Sequence, residues 1–170
     1  ADQGLPNAMS GILTAQQACT PIVVLVSVLP DSKREAADEW PNDWLDIVKP
    51  YVKWARTVPS AERLEEFVHA AVRNARTGRP GVAVLGIPQQ FEGQSVESAG
   101  VAVPPQTRQP AATFENIQEA ADLVTKAERP MILAGSGAAW AGAGAALRDL
   151  AETFRIPVLA NALGRGLVPE

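Results

Sequence analysis

Residues 4–30, GLPNAMSGILTAQQACTPIVVLVSVLP, carry the reading that decides the fold. Gly4 and Pro6 predict a tight turn. Ala8 to Ala18 is compatible with a helix, although Gly11 inside it costs about 1 kcal/mol relative to alanine. Pro21 then opens Ile22-Val23-Val24-Leu25-Val26, an apolar run with no polar alternation. A run of that kind suits a central strand of a parallel sheet, covered on both faces by helices. Helix followed by buried strand is the unit from which the rest of the chain is read.

The composition sets the class. The 170 residues are 46% hydrophobic and 20% charged, which is globular and not disordered. A net charge of -4 and a pI near 5.1, with basic residues scattered, give no nucleic-acid footprint. No apolar run approaches the ~20 residues a membrane helix requires. One cysteine, Cys19, excludes an internal disulfide framework, fits a reducing compartment, and so predicts a cytoplasmic protein. At the end of an apolar helix, Cys19 reads as a small buried hydrophobe. The chain begins at Ala1 beside a turn and stops at Val168-Pro169-Glu170, and this reads as an excerpt of a longer polypeptide.

Outward from the first strand, Asp31 to Pro50 is polar and acidic and reads as a surface loop, with a short helix around Trp44 to Val48. Tyr51 to Val58 reads as a short strand or extended segment. Ser60 to Thr77 is the clearest helix: Ser60 is a good N-cap, Glu62 sits in the first turn, and Gly78 and Pro80 end it. Leu64, Phe67, Val68, Ala71, Val72 and Ala75 fall on one stripe at helical spacing. His69, the only histidine, lies off that stripe and reads as solvated. Gly81 to Pro88 is a second buried strand. Residues 91–112, with several prolines and little periodicity, read as an interdomain linker.

Thr113 caps a further helix with the stripe Ile117, Ala120, Ala121 and Val124. Pro130 to Ala134 is a strand, Gly135-Ser136-Gly137 a glycine turn, and Ala141 to Arg155 a helix with Leu147, Leu150, Ala151 and Phe154 on one face. Ile156 to Ala160 is another strand and Gly164-Arg165-Gly166 another turn. This alternation predicts a second parallel α/β sheet.

The glycine turn departs from the dinucleotide pattern G-x-G-x-x-G, since Trp140 stands where the third glycine belongs and the next glycine is Gly142. A structural turn and a nucleotide site both remain open from the residues alone. One histidine and one cysteine cannot supply the usual zinc ligands, and no Ser-His-Asp set is visible. Asp31, Glu35, Asp38 and Glu39 crowd one loop and read as a solvated face.

Together the pieces resemble thiamine-diphosphate-dependent enzymes of the acetolactate synthase, oxalyl-CoA decarboxylase and benzoylformate decarboxylase type. The residues that carry the resemblance are Gly4-Leu5-Pro6-Asn7, Pro21-Ile22-Val23-Val24, then Asp43, Pro50, Lys53 and Trp54. Thr77-Gly78-Arg79-Pro80-Gly81 through Pro88 follow, then Arg129 to Gly137, Ala146 to Glu152 and Pro157 to Pro169. The resemblance covers nearly the whole chain.

The resemblance implies an α/β fold: the C-terminal half of a parallel-sheet pyrimidine-binding domain (residues 1–90), the linker (91–112), and the N-terminal part of a Rossmann-like central domain (113–170). It implies thiamine diphosphate as cofactor, with Gln3, Gly4 and Asn7 along the pyrimidine. The activating glutamate is expected upstream of Ala1, and the magnesium and diphosphate motif beyond Glu170. Glu39 and Trp40 are expected to line the pocket. Acetolactate synthases carry Phe-Gln at those two positions, and tryptophan cannot copy the amide. The expected activity is therefore another decarboxylation, carboligation or C–C cleavage of a 2-keto acid or related small molecule. In flavin-carrying relatives the central domain holds FAD, and in others ADP, through Gly135, Ser136, Gly137, Asn161 and Gly164. Trp140 argues against FAD here. The resemblance further implies a homodimeric or homotetrameric parent, an inactive isolated fragment, and exposed apolar surface along the Ile22 strand. Two alternatives stand beside this reading: a non-catalytic FAD- or ADP-binding module, and a degenerate structural homologue.

Overall fold

The computed structural model describes residues 4–30, 44–97, 100 and 111–168. It divides into two compact units, Ala1–Gln109 and Pro110–Glu170.

In the first unit, α1 spans Gly4–Gln17, β1 Ile22–Val28, α2 Trp44–Val48, β2 Trp54–Thr57, α3 Leu64–Arg76 and β3 Val82–Pro88. Short 3-10 turns cover Lys49–Tyr51, Ala61–Arg63 and Gln89–Phe91. The three strands are parallel in the order β1-β3-β2. β3, the middle strand, is the deepest, with Val82, Ala83, Val84 and Leu85 all fully buried. Its alternate side chains serve two layers. Val82 and Val84 join Val24, Val26, Val28 and Ala55 against Leu5, Ile12 and Ala15 of α1 and Leu45 and Val48 of α2. Ala83 joins Val23 and Trp54 against Ala71 and Ala75 of α3. Helices on both faces explain why β3 reads as an unbroken apolar run.

The amino ends of the strands are tied to the helices. Gln16 Oε1 accepts from Val82 N at 2.8 Å. A Cβ on Gly81 would lie 2.7 Å from that same oxygen, so a larger residue there would displace the Gln16 carboxamide from Val82 N. Lys53 Nζ donates to the Thr77 carbonyl at the C-terminus of α3, where the helix dipole favours a cation. Partial burial lowers the Lys53 pKa from its ordinary value. Gly78, at φ 59°, provides the left-handed residue that ends α3.

Four expectations are corrected here. Gly4 to Asn7 is the first turn of α1, not a separate turn; a proline in that turn lacks only an N–H that would have no helical partner. Ser60 does not cap α3: a 3-10 turn intervenes, and Ser60 hydrogen-bonds to the Glu62 carboxylate. Val72 is exposed, outside the buried part of its stripe. Cys19 is only half-buried and sits at φ 55°, with Arg79 Nε 2.9 Å from its sulfur. One more correction concerns β1: the run expected as a central strand covered on both faces is an edge strand among the described residues, with Ile22 40% and Leu25 58% exposed, which is the exposed apolar surface the resemblance implied along it.

In the second unit, α4 spans Phe114–Lys126, β4 Ile132–Ala134, α5 Ser136–Trp140, α6 Gly144–Phe154 and β5 Val158–Ala160. β4 and β5 pair in parallel, Ile132 with Val158 and Ala134 with Ala160. Thr113 caps α4 as its residue type predicts, accepting from Asn116 N at 3.3 Å. The apolar stripes of this unit lie largely uncovered. Ile117 is 56% and Phe154 62% exposed, and among the described residues the buried hydrophobics are Ala134 and Ile156. Ser136 and Gly137 form the start of α5, so the expected glycine turn shortens to Gly135, the N-cap residue.

Candidate functional sites

Parallel α/β sheets place ligands beyond the carboxyl ends of their strands. Each unit offers one such end.

In the first unit, Gln16 fixes the C-terminal turn of α1 at the amino end of β3. The 14 residues of α1 span about 21 Å, close to the about 23 Å of a seven-residue strand. Leu5, in its first turn, shares a cluster with Val28, the last residue of β1. The N-terminal turn of α1 is thus carried to the carboxyl end of the sheet. Gly4 and Asn7 are both exposed there, and among the described residues nothing lies within 4 Å of a Cβ built on Gly4. The first N–H groups of the helix have no intrahelical acceptor and point away from it. At the same end, Ser27 Oγ donates to Glu92 Oε1 at 2.9 Å, tying β1 to the segment after β3. Sequence reading missed this pair, for nothing local links residues 65 positions apart. Gln3, Glu39 and Trp40 lie outside the described residues.

In the second unit, Gly135, Asn161 and Gly164 converge where β4 and β5 end. Asn161 N donates to the Ala134 carbonyl at 2.9 Å. Asn161 Oδ1 accepts from Leu163 N at 3.2 Å and Gly164 N at 3.1 Å, closing the turn on itself. A Cβ on Gly164 would fall 2.4 Å from the Ala134 carbonyl oxygen, and one on Gly135 3.3 Å from Asn161 Nδ2. Gly164 is therefore spent on bringing two turns into contact, while a Cβ on Gly135 would ask the Asn161 carboxamide for only a small shift. Gly137 differs: among the described residues nothing lies within 4 Å of a Cβ there. Ser136 begins a helix of five residues.

Among the described residues, no group of three or more His, Cys, Asp and Glu could hold a metal ion. His69 Nε2 lies 3.9 Å from Glu65 Oε1, beyond hydrogen-bond reach. A shallow depression along α4, lined by Phe114, Gln118, Asp122 and Leu123 among others, holds none of the residues named from the sequence. No helix among the described residues is long and apolar enough to cross a membrane.

Residues 117–170 match the sequence model of the family described as "Thiamine pyrophosphate enzyme, central domain". The chain is 33% identical over 171 residues to a "Probable acetolactate synthase" of Mycobacterium bovis, covering 99% of this chain and 31% of that protein. It is 29% identical over 165 residues to "Glyoxylate carboligase" of Escherichia coli O157:H7, covering 96% of this chain and 28% of that protein. It is 27% identical over 172 residues to human "2-hydroxyacyl-CoA lyase 1", covering 98% and 29%. The chain thus spans about 30% of the length of the curated relatives it matches. With parallel α/β units built from the residues that carried the resemblance, the chain is similar along nearly its whole length to thiamine-diphosphate-dependent enzymes, and its residues 117–170 match that family's central domain.

Proposed function

We propose that this chain is part of a thiamine-diphosphate-dependent lyase or transferase that breaks or forms a C–C bond beside a carbonyl, on a 2-keto acid or related substrate. The observation that carries the proposal is the span of the likeness. A synthase, a carboligase and a lyase each match 96% or more of this chain, across both of its units.

The residues present fit one edge of the cofactor. Gly4 leaves open space at the N-terminal turn of α1, and Asn7 offers an exposed carboxamide beside it. In this reading they flank the aminopyrimidine, joined by Gln3, while Leu5 and Ile12 hold the helix against the sheet. Glu39 and Trp40 line the substrate side. Thiamine diphosphate supplies, when bound, the electron sink for the bond broken or made next to the carbonyl. The chain's own part is to position the pyrimidine edge. Magnesium, the diphosphate contacts and the activating acid are assigned to other parts of a cytoplasmic homodimer or homotetramer, so the 170 residues alone are inactive. The glycine turn at the carboxyl end of β5 supports a structural role better than an FAD or ADP site, because Gly164 is taken up by contact with the Ala134 carbonyl.

The test compares two proteins, the 170-residue chain and the product of its whole coding sequence, each with thiamine diphosphate, magnesium and pyruvate or glyoxylate. Carbon dioxide release or carboligation is expected from the longer protein only. Turnover by the short chain refutes its inactivity. Failure of the longer protein across a panel of 2-keto acids and 2-hydroxyacyl thioesters overturns the proposed activity.

A further inference from the structure

We draw no further inference here: the strongest candidate, the apolar edge of the first unit's sheet where β1 leaves Ile22 and Leu25 exposed, is an unpartnered face, and nothing in the structure shows what covers it.

Discussion

Replacing Gly164 with alanine separates a glycine needed for packing from one kept for a ligand. The new Cβ would stand 2.4 Å from the Ala134 carbonyl oxygen and 3.3 Å from Gly135 Cα. That is roughly 1 Å short of an ordinary van der Waals separation of about 3.5 Å. The obstacle is backbone, so no side-chain rotation relieves it. The same carbonyl accepts the Asn161 N–H at 2.9 Å, and Ala134 is one of the few buried residues of its unit. Overpacking costs about 1–3 kcal/mol, and a backbone clash belongs at the upper end. A loss of about 3 kcal/mol is some two decades in the folding equilibrium. Gly137→Ala is the control, because its Cβ meets open space inside a helix; alanine there is worth about 0.5–1 kcal/mol in the stabilising direction. Urea denaturation gives the global effect, and amide hydrogen exchange at Asn161 gives the local one. Gly164→Ala should lower stability and speed exchange at Asn161, while Gly137→Ala should do neither. Equal stability of the Gly164 variant and the parent, with unchanged Asn161 exchange, would refute the packing argument.

Leu85→Ala should cost about 2–5 kcal/mol in urea denaturation, because Leu85 is fully buried in the middle strand. Leu25→Ala, at 58% exposure on the edge strand, should stay within about 0.5 kcal/mol of the parent; similar losses for both would contradict the strand order. Gln16→Ala leaves the Val82 N–H without its acceptor and should cost about 1–3 kcal/mol. Restored stability in Gln16→Glu, which keeps an acceptor oxygen, would tie the loss to that bond. Arg63 holds the Glu66 carboxyl below its ordinary value near 4.5 through hydrogen bonds of 2.7 and 2.8 Å. A depressed carboxyl stabilises the fold above the ordinary glutamate range and loses that contribution as pH falls through its folded value. Glu66→Gln should therefore be the less stable protein at pH 7, with the gap closing as pH falls below the ordinary glutamate range; a gap that widens in acid would reverse the sign of the argument.

Much of the first unit was legible because its signals are local. Pro21 and Pro80-Gly81 mark where strands begin, and the unbroken runs after them predict burial on both faces, which β3 shows. Gly78 at a left-handed φ and Thr113 as a helix cap are residue types that announce their geometry. Other features depend on contacts that spacing cannot express. Gly4 and Pro6 read as a tight turn, whereas they lie in the first turn of α1, which Leu5 packs against the sheet. The stripe on α4 shows which side of a helix is apolar, and periodicity is silent on what stands opposite. Cys19 adopts a left-handed φ that non-glycine residues rarely take, and no pattern of neighbours signals it. At the candidate sites, the resemblance named Gly135, Asn161 and Gly164 as a group. Their convergence is in the structure, while the reason for it, two turns pressed together, depends on distances.

The strand order of the first unit also dictates when its sheet can exist. β1 and β2 are both made before β3, yet neither pairs with the other, since β3 lies between them. During synthesis the edges of β1 and β2 that face β3 must wait until residues 82–88 have emerged and can slot between them. Assembly is then a late, long-range event that closes both ladders at once. A ribosome stalled before Pro88 would leave the β3-facing edges of β1 and β2 unpaired, a form that invites capture by chaperones or by other nascent chains.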